Sequence, residues 1–437
     1  RLSTRELRAA SLSFSLTTSV SGDGFHPRHI AMLTDDALEV LAILLEASER
    51  LGCFPSQLSW LLFSMIGKPG GGLRPILGQA GIVRIWERAR REETSTFLES
   101  SDMQRGYWAD SPGKGAVATV FLQAAKAEAS DSTGCLTGAT QWDGHKFYES
   151  FVLDRLFVRF CQKSRRQHHP IAKLLVNHWK SPRLIKLGKA IHWKVVFGQC
   201  GLPPGSSFNQ AMVRSYVIES YDYVATCHPR VDLSAYVDDT TMTVTGIAGD
   251  SEMVQCNDIV QCLHEVTLDM QIVYHSALEV GISLGKLTSV ASTPLLAQKI
   301  VRQAACLGGA NLGSMPNLGI DYRPAGRVTN GKKAARKEDT RRRRKRRLQQ
   351  IQTWVKKGKS RLRRLYYGGL VPAASFDAPV NGVDNKQLRR IRQDALLCEG
   401  MSQGSSLTRQ LACLGDPGWK AAVAPALQWS SLVWNSL

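Results

Sequence analysis

A chain of 437 residues with 43% hydrophobic and 21% charged residues can bury a core and is too apolar to be intrinsically disordered. Its 56 lysines and arginines against 37 acids give a formal net charge of +19, which favours a polyanionic partner, nucleic acid before a membrane surface. No apolar run approaches the roughly 18 residues that span a bilayer, and no signal peptide is visible, so we expect no membrane partner.

The first part of the chain predicts an amphipathic helix followed by a strand, a glycine turn and a second strand. Residues 36–52 place leucines at helical spacing between an acidic start and a glycine stop. Residues 60–66 are a short apolar run, and Arg74-Pro75-Ile76 begins the strand beyond the turn. Lys68 and Arg74 flank this turn, so a point charge and a bidentate fork would suit a triphosphate. A solvated hairpin tip fits the same residues.

The middle of the chain offers a candidate metal ligand and a stiff loop. Asp143 stands at a predicted strand end, before an aromatic turn with Phe147 and Tyr148 and an amphipathic helix. A carboxylate there suits a metal ion, although a turn or helix-capping role is more common. Residues 201–207 form a loop that opens another helix, and Gly205 lets its backbone approach a ligand closely.

The clearest hairpin signal is the segment Tyr236-Val237-Asp238-Asp239. Period-two alternation on both sides predicts two strands joined by a tight turn with the two aspartates at its tip. An Asp-containing turn is usually only structural, so its meaning depends on the rest of the chain. Downstream, residues 253–280 predict an amphipathic helix, a turn carries Lys286, and Leu318-Gly319-Ile320 predicts a short strand.

The composition becomes strongly basic towards the C-terminal end. Residues 327–364 hold 18 lysines and arginines against two acids. Such a block predicts an exposed surface that grips a phosphate backbone, a nuclear import signal, or both. Trp354, Tyr366 and Tyr367 interleave with the cations and would provide rings that stack on bases or sugars. The densest run comprises Arg341, Arg342, Arg343, Arg344, Lys345, Arg346 and Arg347.

Taken in order, these motifs resemble a reverse transcriptase domain, most closely the kind found in non-LTR retrotransposons and group II introns. The resemblance covers roughly residues 60–325, and its most specific segments are 68–76, 143–149 and 236–239. It implies an α+β right-hand polymerase fold, in which the palm is an antiparallel sheet packed on helices and the thumb is helical and basic. The implied domains are an N-terminal extension (1–55), fingers (56–130), palm (131–325) and a basic linker with a thumb-like region (326–437).

The implied reaction is transfer of deoxynucleotides to a DNA primer 3′-hydroxyl on an RNA template. Two Mg²⁺ ions, or Mn²⁺, would stabilise the attacking and leaving oxygens of the in-line displacement. In this resemblance Asp143 and Asp238 bridge both ions, Asp239 lies alongside, and the Gly144 carbonyl completes one coordination sphere.

The resemblance also implies roles in substrate binding. Lys68 and Arg74 would hold the incoming triphosphate. Tyr148 would exclude a ribose 2′-hydroxyl, with Phe147 as the alternative if the register shifts by one residue. Gly205 would lie under the templating base pair, and Lys286 would protonate the departing pyrophosphate.

Two other functions fit part of the pattern. An RNA-directed RNA polymerase usually carries Gly-Asp-Asp at the hairpin and a smaller or acidic residue at the position of Tyr148. A decayed, non-catalytic nucleic-acid-binding protein would explain why Pro204 stands where many family members have glutamine. The start on Arg1 suggests a piece of a longer protein. Ten scattered cysteines without a C-x-x-C pair favour an intracellular location, and the basic run favours the nucleus.

Overall fold

A computed structural model gives the fold of most of the chain. It is a mixed helix and strand protein in which all but one of the strand pairs between described residues are antiparallel, in agreement with the predicted α+β class. Among the residues that the structure describes, no helix combines the length and apolar composition needed to cross a membrane. The described residues are 1–21, 23–68, 71–100, 102–111, 115–192, 194–283, 286–303, 314–325, 328, 331–354, 362, 364–399 and 416–436.

Helices make up most of the regular structure. Short 3₁₀ turns cover Pro27–Met32, Ser56–Leu58 and Arg166–His168, and π-helical turns cover Val273–Ala277 and Tyr366–Leu370. The α-helices are α1 (Thr4–Leu12), α2 (Asp35–Leu51), α3 (Gly81–Ala89), α4 (Arg91–Glu99), α5 (Ala116–Ser132), α6 (Phe147–Ser150), α7 (Leu153–Lys163), α8 (His169–Trp179), α9 (Asn209–Cys227), α10 (Glu252–Ile272), α11 (Pro294–Gln303), α12 (Lys332–Trp354), α13 (Val371–Ala374), α14 (Ala378–Asn381), α15 (Asn385–Glu399), α16 (Trp419–Ala422) and α17 (Ala424–Ser436).

The strands are short and form three sheets. The first has the order β2-β1-β4-β5, with β1 and β4 parallel. The second has the order β6-β7-β3-β8, with β9 also paired to β3, and the third is the hairpin β10-β11. The strands are β1 (Leu61–Gly67), β2 (Leu73–Gly78), β3 (Thr137–His145), β4 (Arg183–Leu187), β5 (Ala190–Ile191), β6 (Val231–Tyr236), β7 (Asp239–Thr245), β8 (Gly281–Ile282), β9 (Thr288–Ala291), β10 (Met315–Asn317) and β11 (Ile320–Tyr322).

The chain divides into two compact units, and β3 passes from one to the other between Asp143 and Gly144. The first unit holds the β2-β1-β4-β5 sheet, and the second holds most of the β6-β7-β3-β9 sheet. The first comprises Arg1–Gly106, Gly144–Cys227 and Asp269–Ile282, and the second comprises Tyr107–Asp143, His228–Leu268 and Ser283–Leu437.

In the first unit, α2 confirms the helix predicted for residues 36–52. The side chain of Thr34 accepts a hydrogen bond from the Ala37 N–H at the start, and Gly52 ends the helix with a φ of 72°. The strand–turn–strand prediction is confirmed by β1 and β2. Pro69 and Gly70 lie outside the described residues.

A buried histidine in α8 makes this unit sensitive to acid. His178 is 3% exposed, contacts the Phe54 ring edge-on, and neither ring nitrogen has a hydrogen-bond partner among the described residues. Burial lowers the pKa of His178 to about 4. An unfolded chain protonates this ring near its ordinary pKa of about 6.5, whereas the folded chain keeps it neutral down to about 4. Stability contributed by the neutral ring is therefore complete above pH 6.5 and is lost as the pH falls towards 4.

We expect the free energy of unfolding to fall by about 2 kcal/mol between pH 7 and pH 5 through His178 alone. In His178→Leu this part of the pH dependence should disappear. Urea unfolding at the two pH values measures it, with exposed His275→Leu as the control. An unchanged pH dependence in His178→Leu would show that other groups cause the acid sensitivity.

In the second unit, the β6-β7-β3-β9 sheet has an apolar cluster on each face. On one face, α10 and α11 pack against it through Ile259, Leu263 and Ile300. Gly138 of β3 permits this close packing, because a Cβ there would lie 2.9 Å from the Ile259 side chain. On the other face, α5 and the β10-β11 hairpin contribute Val120, Met315, Ile320 and Tyr322, which pack against Ala139 and Val290.

The strand predicted at Leu318-Gly319-Ile320 is wrong in its first two residues. Leu318 and Gly319 form the turn between β10 and β11, with φ values of 47° and 85°. Two successive residues with positive φ are typical of two-residue hairpin turns, because the twist of such a turn matches the twist of the strands that it joins. An apolar residue in the left-handed region is uncommon, so the side chain of Leu318 gave no sign of the turn.

Candidate active site

The antiparallel pairing of β3 with β7 places two carboxylates side by side. Asp143 lies directly opposite Asp239, in a register that continues from Thr137 opposite Thr245. Residues opposed in this way have Cα atoms about 4.5–5.5 Å apart and side chains on the same face of the sheet. Two like charges in this position repel and destabilise the pair, so the arrangement favours a cation close by.

The hairpin between β6 and β7 brings a third carboxylate to the same end of the sheet. Tyr236 pairs with Asp239, so the two turn residues are Val237 and Asp238. The tip therefore lies one residue earlier than the sequence predicted, and Asp239 belongs to a strand. Val237 has a φ of 57°, which is a strained conformation for a β-branched residue. Asp238 is adjacent in the chain to the residue that faces Asp143.

A lysine supplies the cation that this cluster favours. The Lys286 Nζ lies 2.7 Å from Asp143 Oδ2, and the side chains of the two residues are 65% and 21% exposed. Backbone hydrogen bonds hold the lysine there, because the Ser283 N–H donates to the Asp143 carbonyl at 3.0 Å and the Lys286 N–H donates to the Ser283 carbonyl at 2.8 Å. Leu284 and Gly285 of the predicted turn lie outside the described residues. A half-exposed ion pair of this kind stabilises a fold little.

The donor chemistry of this site fits a hard divalent cation. Carboxylate oxygens are the ligands that Mg²⁺ prefers, and it commonly binds through only one or two of them with waters and substrate phosphates as the rest. In the part of the chain that the structure describes, no three His, Cys, Asp or Glu side chains form a group that could hold a metal ion unaided. Asp143 and Asp238 would hold the ion together with substrate phosphates, with Asp239 beside them.

The predicted residues of the metal and substrate site that remain lie in the first unit. Gly144 pairs with Ile282 of β8, and a Cβ at Gly144 would lie 2.7 Å from the Phe147 ring. Glycine is therefore required at the residue after Asp143 because the aromatic turn folds back onto it. Phe147 is 2% exposed and contacts Phe151 edge-on, so its ring belongs to the core. Tyr148 is only half-buried, which makes it the better candidate of the two for contact with a sugar.

The β1-β2 hairpin carries the two predicted phosphate ligands. Arg74 pairs with Ile66, and the Lys68 N–H donates to the Gly72 carbonyl at 2.9 Å. Side chains two residues apart on a strand share a face, so Lys68 and Arg74 project from the same face of the hairpin. Both residues are exposed. This geometry suits a triphosphate and equally suits a solvated hairpin tip.

The loop that carries Gly205 is held at both ends. The Leu202 N–H donates to the Tyr148 carbonyl at 2.9 Å, and the Asn209 side chain donates to the Pro203 carbonyl at 2.8 Å. Gly205 has a φ of 107°, and no described atom outside its own stretch of chain would lie within 4 Å of a Cβ placed there. Glycine is thus required by the backbone conformation, and one side of the loop is open to a ligand.

The basic run on α12 divides into two faces. Arg341, 12% exposed, and Lys345 form ion pairs with Asp394 of α15, which is 3% exposed. These two cations hold the helices together. Arg342, Arg343, Arg346 and Arg347 share the exposed outward face, since a helix turns about 100° per residue, and the seventh cation, exposed Arg344, donates to the Gly369 carbonyl. Residues 327, 329, 330, 355–361 and 363 of the basic segment lie outside the described residues.

The aromatic part of this prediction is wrong for Tyr366. Its ring is 0% exposed and its hydroxyl donates to the Ile391 carbonyl at 2.5 Å, so it cannot stack on a base. A spacing of tyrosines among cations does not distinguish a core ring from a surface ring. Tyr367 is exposed.

We expect the outward face of α12 to carry the salt-sensitive part of nucleic-acid binding. Changing Arg342, Arg343, Arg346 and Arg347 to glutamine should reduce the slope of log affinity against log salt by about 0.7–0.9 for each phosphate that no longer meets a cation. Filter binding between about 50 and 200 mM salt measures that slope. The control changes four other cations to glutamine and so has the same net charge. These cations are Arg5, Arg50, Arg91 and Lys126. Equal slopes in the two variants would contradict a local phosphate grip.

Two buried acids in this structure were not predicted from the sequence patterns. Glu87 of α3 is 5% exposed and accepts hydrogen bonds from the Gly205 loop, and Asp394 neutralises part of the basic run. Glu87 follows the core residue Trp86, and Asp394 lies three residues after the core residue Ile391. Closeness to a core residue was the only sign in the sequence that these acids are buried.

Comparison with known proteins adds no relative to this description. Neither a protein-family model nor a curated protein matches the sequence. The site is therefore the basis for any proposal about function.

Proposed function

We propose that the chain is a polymerase of the reverse transcriptase type, which adds deoxynucleotides to a primer paired with an RNA template. The observation that supports this most is the register of β3 and β7, which sets Asp143 opposite Asp239 of β7, the residue that follows Asp238 of the turn. Residues about ninety-five positions apart in the sequence thereby share one end of a sheet, as the resemblance requires.

The residues of this site have complementary roles in the proposed reaction. Bound divalent cations would stabilise the attacking and leaving oxygens of an in-line displacement at phosphorus. Asp143 and Asp238 would hold them there, and the charge of Asp239 would strengthen the site. Asp143 would exchange its ion pair with Lys286 for this role. The released ammonium, on a long and exposed side chain, would then donate a proton to the departing pyrophosphate.

The finer architecture follows the same proposal. We assign the β6-β7-β3-β9 sheet with α5 and α10 to a palm, the β2-β1-β4-β5 sheet to fingers, and α12 with α15 to a thumb, which moves α5 out of the predicted fingers and β4 and β5 out of the predicted palm. Lys68, Arg74, Tyr148 and Gly205 keep the roles that the resemblance gives them, namely triphosphate binding, exclusion of the 2′-hydroxyl and support of the templating pair. Nuclear location stays a prediction from the basic run.

Primer extension tests the proposal. Purified protein with Mg²⁺ should extend a DNA primer on an RNA template with deoxynucleotides, and chelation with EDTA should stop it. Ribonucleotides should be incorporated much more slowly, because the ring of Tyr148 would meet the 2′-hydroxyl. Preference for ribonucleotides would indicate an RNA-directed RNA polymerase instead. Salt-sensitive binding without any extension would indicate a non-catalytic nucleic-acid-binding protein.

A further inference from the structure

Glu87 is a buried carboxylate with its acceptors turned towards the Gly205 loop. Oε1 accepts hydrogen bonds from the Gln79 side chain and the Ser206 hydroxyl, both at 3.0 Å, and Oε2 accepts one from the Ser207 N–H at 3.3 Å. The Ser207 hydroxyl also donates to the Glu87 carbonyl at 3.4 Å. Every one of these residues belongs to the first unit.

This carboxylate is costly to bury, so its retention calls for an explanation. Burial raises the pKa of Glu87, while the hydrogen bonds from Gln79, Ser206 and Ser207 act against that rise. The surroundings are apolar, since Trp86 and Phe208 stack there with ring centroids 5.8 Å apart. An apolar side chain at position 87 would therefore avoid the cost of burying a charge. What an apolar residue could not do is accept the hydrogen bonds from Ser206 and Ser207.

The loop is thus fixed on both sides of Gly205. Leu202 is bonded to the Tyr148 carbonyl before it, and Ser206 and Ser207 are bonded to Glu87 after it. Between these anchors Gly205 is exposed and has an open side. A loop held at two points a few residues apart presents its backbone in one position, which is what recognition of a base pair by shape requires.

We propose that Glu87 is a positioning residue that holds the 202–207 loop in place, so that Gly205 supports the templating base pair and the incoming nucleotide. The positioning role in the reaction rests on the proposed function, whereas the holding of the loop rests on the hydrogen bonds alone. Glu87 touches no substrate. Its effect reaches the reaction through Ser206, Ser207 and the backbone between them.

Glu87→Gln is the sharpest test, because it keeps the size of the side chain and replaces one acceptor by an amide. The side-chain oxygen of the new glutamine can still accept from Gln79 and Ser206. Its NH2 group then faces the Ser207 N–H, so two donors meet and no hydrogen bond forms there. We expect hydrogen exchange at the Ser207 amide to become at least about tenfold faster, with no change in the middle of α9. We also expect the KM for the incoming deoxynucleotide to rise about tenfold with kcat within about twofold, since the loop acts on binding.

Glu49→Gln is the matched control. Glu49 accepts hydrogen bonds from Trp86 Nε1 at 2.7 Å and from Arg90, so it supports the same helix without touching the loop. This variant should be less stable, with Ser207 exchange and KM unchanged. Equal effects in both variants, or unchanged Ser207 exchange in Glu87→Gln, would overturn the proposal. Faster exchange with an unaltered KM would overturn the role in the reaction. Absence of extension by the wild-type chain would instead count against the proposed function, and the exchange result would still decide whether Glu87 holds the loop.

Discussion

Asp238→Ala should reduce primer extension by more than about a thousandfold, because removal of a ligand of the proposed metal ions would take away several kcal/mol of transition-state stabilisation at about 1.4 kcal/mol per tenfold in rate. The fold should survive. Asp238 lies in a half-exposed turn, so its replacement should change the free energy of unfolding by no more than about 0.5 kcal/mol. Single-nucleotide extension and urea unfolding, measured on the same preparation, separate the two effects.

The matched control for this variant is Asp250→Ala. Asp250 is an exposed acid of the same unit, outside the β3-β7 end of the sheet. Its replacement removes one negative charge without altering the candidate site, so extension should remain near the wild-type rate. If Asp238→Ala extends primers within about tenfold of the wild type, Asp238 does not hold a catalytic ion.

Asp394→Ala should destabilise the second unit by about 3 kcal/mol, because it removes the buried acid that pairs with half-buried Arg341 and Lys345 and leaves Arg341 paired with Glu338 alone. Asp394 is 3% exposed and pairs with Arg341 and with Lys345, the latter at 2.7 Å. These ion pairs join α12 to α15, so removal of the acid should separate these helices first. Thermal unfolding followed by tryptophan fluorescence, and hydrogen exchange along α12, would measure the effect.

An exposed acid on α12 provides the comparison for Asp394. Asp339 is 52% exposed and pairs with Arg343 on the outward face of α12, so Asp339→Ala should leave the unfolding midpoint unchanged. A midpoint of Asp394→Ala equal to that of Asp339→Ala would mean that Arg341 and Lys345 do not hold the two helices together.

Local signals predicted the elements that depend on neighbouring residues. The acidic start and glycine end of α2, the β1-β2 hairpin and the strands around Val237 all follow from spacing and turn chemistry. The turn at Leu318 did not, because an apolar residue with positive φ gives no warning in sequence. The hairpin tip was misplaced by one residue for the same reason, since strain at Val237 allows Asp239 to join β7.

The candidate site was predictable only in part. Order along the chain singled out Asp143 and Asp238, and strand pairing then placed Asp143 opposite Asp239, the neighbour of Asp238 in the chain. Which of seven consecutive cations face solvent depended on Asp394, about fifty residues away, and the role of Glu87 depended on Ser206, more than a hundred residues away. Long-range partners of this kind carry no local periodicity, so sequence patterns could not reveal them.

Binding of Mn²⁺ is the most direct test of the carboxylate cluster, because it needs no turnover. Electron paramagnetic resonance of free Mn²⁺ would be titrated against the wild-type chain with a bound primer–template and deoxynucleotide, and against Asp143→Asn/Asp238→Asn under the same conditions. We predict that the wild type removes Mn²⁺ from solution and that the double variant binds at least about tenfold more weakly, with Asp250→Asn unchanged. Equal Mn²⁺ binding by all three proteins would contradict a metal site at the end of β3 and β7.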